Sequence, residues 1–213
     1  MHDEIEIHGR CEAPFAAVRD AFRANFVERG DVGASFCVVQ EGEVVVDLWG
    51  GHLDAERTRP WAEDTIVNVY STTKTMTALT ALVLADRGEL DLHAPVATYW
   101  PEFAQAGKER ITTAQLLAHS AGLSGLAELV EPEALYDWDR VAALLAAQAP
   151  WWEPGAASGY HAVTQGNLVG EVVRRISGRS LGTFFREEIA EPLGADFHIG
   201  FGPELDDRVG LLI

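Results

Sequence analysis

Apolar positions recur along this chain with two periods, and the change of period divides it. In "APFAAVRDAFRANFVERG", Phe15, Val18, Phe22 and Phe26 fall at helical spacing and Gly30 supplies a stop. This predicts an amphipathic helix laid on a flat surface. "GASFCVVQEGEVVVDLWGG" then carries two β-rich runs on either side of Glu41-Gly42 and predicts a hairpin. "TIVNVY" is a third extended run, feeding a helix that starts around Ser71. That helix is expected to bury Met76, Leu79, Leu82 and Val83 and to end at Arg87-Gly88, with a cationic last turn and a glycine stop.

Helical patterning dominates the remainder. "TTAQLLAHSAGL" opens with Thr112 and Gln115 in capping-box register and is expected to stop at Gly122. "DWDRVAALLAAQA" follows, then the Pro- and Gly-containing loop "PWWEPGAASGY". "AVTQGNLVGEVVRRISG" sets Leu168, Val172 and Ile176 on one face, with Gly178 closing it. "SLGTFFREEIA" predicts a short helix ending before Pro192. The fold class expected is α+β. A helix and hairpin form a partial α/β subdomain over residues 1–66, and residues 67–213 are mainly helical, in one incomplete catalytic domain. A lone hairpin is marginal in water and leaves its edges unpaired. The apolar tail "VGLLI" has no helix or turn ending, so the chain reads as interrupted.

Composition narrows the function. The 213 residues are 47% hydrophobic and 23% charged, a globular balance with enough chain for a sizeable core. The formal charge of −17 disfavours nucleic acid and anionic lipid as partners. Cys11 and Cys37 make no disulfide framework and have no metal-ligand spacing, and no cofactor is expected. The acidic start "MHDEIEIHGRCEAP" lacks the pattern of a signal peptide, and no apolar run approaches the ~20 residues that span a bilayer. A soluble cytoplasmic protein is therefore expected.

Candidate chemistry begins at Ser71 and Lys74. Residues at i and i+3 share a helix face, with Cβ atoms about 5–6 Å apart. A serine in the first turn has the positive end of the helix dipole behind it, which favours an oxyanion. A lysine held beside it, away from water, is placed to take its proton. The same spacing also describes a capped helix with a solvated lysine, but apolar positions follow Lys74 at once, where a solvated lysine is out of place. In "EPGAASGYHA", Tyr160 follows a Pro-Gly loop and precedes a helix, a rigid way to aim a phenol that relays protons. On its own, Tyr160 reads better as an interfacial aromatic that caps with its hydroxyl.

These stretches together carry a resemblance. "YSTTKTMTALTALVLADRGELDLHAPVATYWPEF", "ITTAQLLAHSAGL" and "GYHAVTQGNLVGEVVRRISGRSLGTFF" resemble the serine β-lactamase-related, penicillin-recognising hydrolases. They are most similar to the class C-like esterases called family VIII carboxylesterases. The resemblance implies a β-lactamase/transpeptidase-like fold, with Ser71 as acylated nucleophile, Lys74 as its base partner and Tyr160 as general base and acid. Two departures stand out. The family's Tyr-x-Asn reads Tyr160-His161-Ala162 here, which tilts the substrate from β-lactams and D-amino-acid peptides toward small or short-chain esters. The family's third motif, on a C-terminal strand, has no counterpart; "HIGFG" at His198 to Gly202 arrives too early. The resemblance thus implies that the C-terminal strands and last helix are missing. An inactive fragment, or a partner-dependent half that self-associates through an unpaired sheet edge, is the alternative to a working serine hydrolase.

Weaker signals complete the reading. "GRSLG" mimics a nucleophile elbow, but a helix precedes it, so Ser180 is expected to cap the next helix. No histidine pair has metal-ligand spacing. His161 faces either the cleft, where it would bind substrate, or the surface. His119 is expected to meet the negative end of its helix. Trp151 and Trp152 either line an acyl pocket, with Trp152 as the substrate contact, or pack within their loop.

Overall fold

The computed structural model describes residues 5–213; the start of the acidic N-terminal stretch lies outside them. The chain forms two compact units, one of residues 1–69 with 201–213 and the other of residues 70–200. The division falls three residues later than the expected 66/67 boundary, and the last thirteen residues group with the first unit rather than with the helical one.

The first unit is an antiparallel sheet with one helix on it. Strand β1 (Ile7–Cys11), helix α1 (Ala16–Ala24), β2 (Gly33–Gln40) and β3 (Glu43–Gly51) follow in turn, and the strand order is β1-β3-β2. The hairpin is as expected: Glu41 (φ 53) and Gly42 (φ 86) both take positive φ, as a two-residue primed turn requires. It is not alone, because β1 pairs along the other side of β3 from Ile7↔Gly50 to Cys11↔Val46. The pattern missed β1 because in "IHGRC" only the terminal Ile7 and Cys11 turn away from solvent. α1 continues through a π-turn, Asn25–Arg29, and stops at Gly30 in the left-handed region. Phe22 and Phe26 meet edge to face at 5.3 Å and cover Ile7, Val46 and Leu48. Arg19 and Arg23 donate to the Ile7 and Ile5 carbonyls, so the helix also ties down the first strand. The apolar tail is not without structure: β4 (Ile66–Val67) pairs in parallel with β5 (Val209–Gly210), and Leu211 N–H donates to Leu53 O.

The second unit is helical: α2 (Thr73–Asp86), α3 (Thr113–Leu117), α4 (Trp138–Ala147), α5 (Thr164–Ser177), α6 (Leu181–Phe185) and α7 (Glu191–Leu193). α5 is its axis, with Leu168, Val169, Val172 and Val173 all fully buried among the other helices. Gly170 is needed there, since a Cβ would come within 2.6 Å of the Trp138 ring. Beside it the buried Glu171 carboxylate accepts from Trp138 Nε1, Arg174 and Arg175, tying α4 to α5. Among the described residues no helix is long and apolar enough to cross a membrane.

Three expectations about helices need correction. α2 buries Thr77, Thr80, Ala81 and Leu84, while Leu79 and Leu82 are exposed. Its apolar residues run nearly all round, so periodicity selects no face. The small side wins because the threonine hydroxyls are satisfied within the helix, on the Thr73 and Met76 carbonyls. α3 has the expected capping box but stops after one turn at Leu117, and His119 (φ 58), not Gly122, makes the left-handed exit. The last helix does not end before Pro192. A π-turn, Arg186–Ala190, leads into α7, which takes in Pro192 and stops at Gly194 in the left-handed region.

Candidate active site

Ser71 lies in a single 3-10 turn, Tyr70–Thr72, just ahead of α2. Tyr70 before it has φ 47, a left-handed conformation that costs a bulky residue energy and makes the chain turn sharply at the serine. Lys74 follows in the first turn of α2, and its Nζ donates to Ser71 Oγ at 3.3 Å and to the Ala162 carbonyl at 2.8 Å. The second bond crosses to the segment before α5, where the Tyr160-His161-Ala162 triplet lies. The same amine stands 4.9 Å from the centre of the Tyr160 ring. Hydrogen bonds from Ser71 and then Lys74 to the Tyr160 oxygen hold this phenol below its ordinary value of 10.0. The structure therefore brings Ser71, Lys74 and Tyr160 together.

Tyr160 is presented by two loops stitched to each other. Gly159 N–H donates to His119 O, and His161 N–H donates to His119 Nδ1 at 3.1 Å. Leu123 N–H donates to His161 Nε2 at 3.1 Å, and the Thr164 hydroxyl donates to Leu123 O at 2.6 Å. These bonds fix the tautomers. His161 Nε2 accepts, so Nδ1 carries the proton and donates to Gly159 O at 2.6 Å. His119 Nδ1 accepts, so its proton sits on Nε2. Burial holds both imidazoles below the ordinary histidine value, the charge of Lys74 adding to this at His119, and protonation of His119 would add to it at His161. At His161 the bond to Gly159 works in the opposite direction without reversing the outcome.

His161 is not exposed to a substrate in this arrangement. It is fully buried with both ring nitrogens engaged, so it belongs to the support beneath Tyr160. Trp152 is also turned inward: its Nε1–H donates to Ala157 O, and its ring lies 6.2 Å from His161. Gly159 is needed beside it, because a Cβ there would meet the indole at 2.4 Å. Trp151 is the more exposed of the pair. His119 does not serve its helix end as expected. Its ring meets Tyr160 edge to face at 4.8 Å, and its proton affinity is lowered, whereas a helix C-terminus would raise it.

The decoys resolve as expected. Ser180 caps α6 by accepting from Thr183 N–H. His198 to Gly202 is irregular chain in which His198 pairs with Asp196. One buried group escaped the sequence reading. Lys108 is fully inside, donating to the Gln105 and Gln148 carbonyls with Phe103 beneath it, and burial lowers its affinity for a proton. Nothing in "AGKER" distinguishes such a lysine from a solvated one.

Comparison with known proteins extends the geometry. Residues 19–210 match the family model described as Beta-lactamase. Esterase/beta-lactamase LipL of Mycobacterium tuberculosis strain H37Rv is 40% identical over 198 residues, which cover 92% of this chain and 46% of LipL. Esterase EstB of Burkholderia gladioli is 33% identical over 201 residues, covering 85% of this chain and 50% of EstB. The crystal structure of a family VIII carboxylesterase superposes with a TM-score of 0.93 at 54% identity, over 98% of this chain and 57% of that one. The chain thus spans about half the length of the curated relatives it matches. With its Ser-x-x-Lys turn set against a tyrosine ahead of α5, and with this match over most of its length, the chain belongs to the β-lactamase family.

Proposed function

We propose that this chain carries the acyl-transfer centre of a serine hydrolase acting on small or short-chain esters. The observation that carries the proposal is the triangle of Ser71, Lys74 and Tyr160. Ser71 Oγ attacks the ester carbonyl and its proton passes to Tyr160 in its phenolate form, the form that the neighbouring Ser71 and Lys74 favour. Lys74 acts as donor, holding Ser71 Oγ and the Tyr160 oxygen in register from its anchor on Ala162 O. The carbonyl's bond to the alkoxy oxygen breaks, and Tyr160 delivers the proton to the departing alcohol. Water then adds to the acyl group, giving one proton to Tyr160. Collapse releases the acid, and the proton returns to Ser71 Oγ. The Ser71 N–H, with the start of α2 behind it, is assigned to the oxyanion.

Ester rather than β-lactam or D-amino-acid peptide is supported at Ala162. This residue offers its backbone carbonyl to Lys74 and has no amide side chain to orient such substrates. The name of Esterase EstB points the same way, while that of Esterase/beta-lactamase LipL covers both substrates. The test is intact-mass analysis after treatment with an alkyl fluorophosphonate. A single adduct is expected, absent from Ser71→Ala. An adduct that survives in Ser71→Ala removes the nucleophile assignment, and a folded protein without adduct removes the proposal for this chain.

A second reading has its own observation, the exposed Phe36 and Val39 on the edge strand β2. In it the chain pairs with a second copy through that edge. Sedimentation of the same sample at rising concentration distinguishes a monomer from such a dimer.

A further inference from the structure

We infer that His119 is a positioning residue for Tyr160: its Nδ1 clamps the backbone on which the phenol is carried, and its ring fixes the phenol's tilt. The consequence for catalysis rests on the acyl-transfer reading above, but the clamp does not.

The geometry is specific on three counts. His119 has φ 58, so its own backbone is left-handed, and it reaches the tyrosine segment on both sides of Tyr160. Its carbonyl accepts from Gly159 N–H at 3.0 Å and its Nδ1 from His161 N–H at 3.1 Å, residues immediately before and after the tyrosine. Its ring then stands 4.8 Å from the Tyr160 ring at 61°, an edge-to-face contact. A single residue thus holds the backbone before Tyr160, the backbone after it and the aromatic ring itself. Beneath it His161 stands 5.4 Å away and Trp152 a further 6.2 Å from His161, a row of rings running from the exposed phenol to the half-buried indole.

Nδ1 can act as a clamp only while it is an unprotonated acceptor. The groups around it suit that state: Lys74 of α2 is the nearby cation, Tyr160 and His161 complete the surroundings, and burial opposes a further charge. A phenol displaced by even about 1 Å changes its placement against Ser71 and Lys74, and proton transfer depends steeply on such placement.

Two substitutions separate the functions of this side chain. His119→Asn keeps an acceptor close to the place of Nδ1 and suits a left-handed φ, but removes the ring. His119→Phe keeps an aromatic ring against Tyr160 but removes the acceptor. The first readout is the alkaline titration of Tyr160, taken as ultraviolet absorbance of each protein minus that of its Tyr160→Phe counterpart. This isolates the phenol from Tyr70, Tyr99 and Tyr136. Wild type is expected to titrate below the ordinary value of about 10. His119→Phe is expected to move up toward that value, with His119→Asn moving by less. Thermal melts accompany each titration, so that a fold defect is seen as such.

The second readout is the pH profile of fluorophosphonate labelling, whose rate at neutral pH is expected to fall about tenfold or more in His119→Phe. A folded His119→Phe with the wild-type titration overturns the inference. So does a His119→Asn shifted as far as the phenylalanine variant, or a wild-type phenol that titrates at the ordinary value. If His119→Phe does not fold, a His119→Asn phenol that titrates at the ordinary value still overturns the clamp. Absence of labelling in wild type counts against the acyl-transfer reading, while the titration continues to test His119.

Discussion

Glu171→Gln should weaken the helical unit by about 3 kcal/mol. The Glu171 side chain is wholly buried, and its two oxygens accept from Trp138 Nε1, from Arg174 twice and from Arg175. Burial alone would raise its affinity for a proton, but the bonds from Arg174, Arg175 and Trp138 outweigh burial and leave it below the ordinary 4.5. Glutamine has nearly the same shape but replaces one accepting oxygen by an N–H2 group. Each oxygen faces two donors, so neither amide orientation avoids donor against donor. Removing one partner of a buried ion pair typically costs about 3–5 kcal/mol. The lower end applies because Arg174 and Arg175 are 38% and 32% exposed and retain Asp139 and Glu102.

The assay for this substitution is urea denaturation followed by circular dichroism, with the midpoint read at unchanged slope. For a chain of this size about 3 kcal/mol corresponds to a fall of about 6–12 °C in melting temperature. Glu171→Met, which removes the acceptors without adding a donor, should cost less, chiefly the unpaired Trp138 N–H. A loss below about 1 kcal/mol for the glutamine variant, as for a surface pair, would refute the reasoning. So would a methionine variant weaker than the glutamine one.

Tyr160→Phe removes the proposed proton acceptor and should slow fluorophosphonate labelling of Ser71 by about 10²–10⁴-fold. Its melting temperature should barely move, since the side chain is largely exposed; an unchanged labelling rate would remove Tyr160 from the mechanism. Gly159→Ala drives a Cβ to 2.4 Å from Trp152, and should cost about 1–3 kcal/mol with slower labelling. Adding Trp152→Leu should recover part of both losses, and a strictly additive double variant would show that this contact is not the cause. Stability should also depend on pH. His119 and His161 bind protons less readily folded than unfolded, so the unfolded state gains protons first as pH falls. Their contribution is complete above about 6.5 and lost as pH falls through their lower folded values. Glu171 behaves likewise below about 4.5. Melting temperature should decline as pH falls below ~6.5, and a rise on acidification there would contradict both histidine assignments.

Much of the fold was legible because its signals are local. The α1 stripe of Phe15, Val18, Phe22 and Phe26, the Glu41-Gly42 turn, the Thr112–Gln115 capping box and the Ser180 cap each arise within a few residues. Ser71 and Lys74 were legible for the same reason, since i and i+3 share a helix face whatever surrounds them. β1 was not, because a strand whose apolar positions are only its two ends becomes visible once β3 lies beside it. The face that α2 turns inward was not legible either. Thr77 and Thr80 look polar until their hydroxyls are seen to be satisfied inside the helix, and two exposed leucines resemble core.

The histidines mark the boundary most clearly. Tyr160-His161-Ala162 suggested a phenol aimed by its loop, and that judgement needed only the local Pro-Gly turn and the helix that follows. Whether His161 met substrate or core depended on Leu123, 38 residues earlier in the chain, whose N–H its Nε2 accepts. His119 lies 42 residues before the N–H it clamps, and its side-chain bond, carbonyl and ring converge on Tyr160 only when the two loops are brought side by side. Helix, turn and cap follow from neighbours along the chain, so the sequence alone put forward Ser71, Lys74 and Tyr160 as candidates. Burial, tautomer and orientation follow from neighbours in space, and the tertiary structure alone decided which residues hold those groups in place.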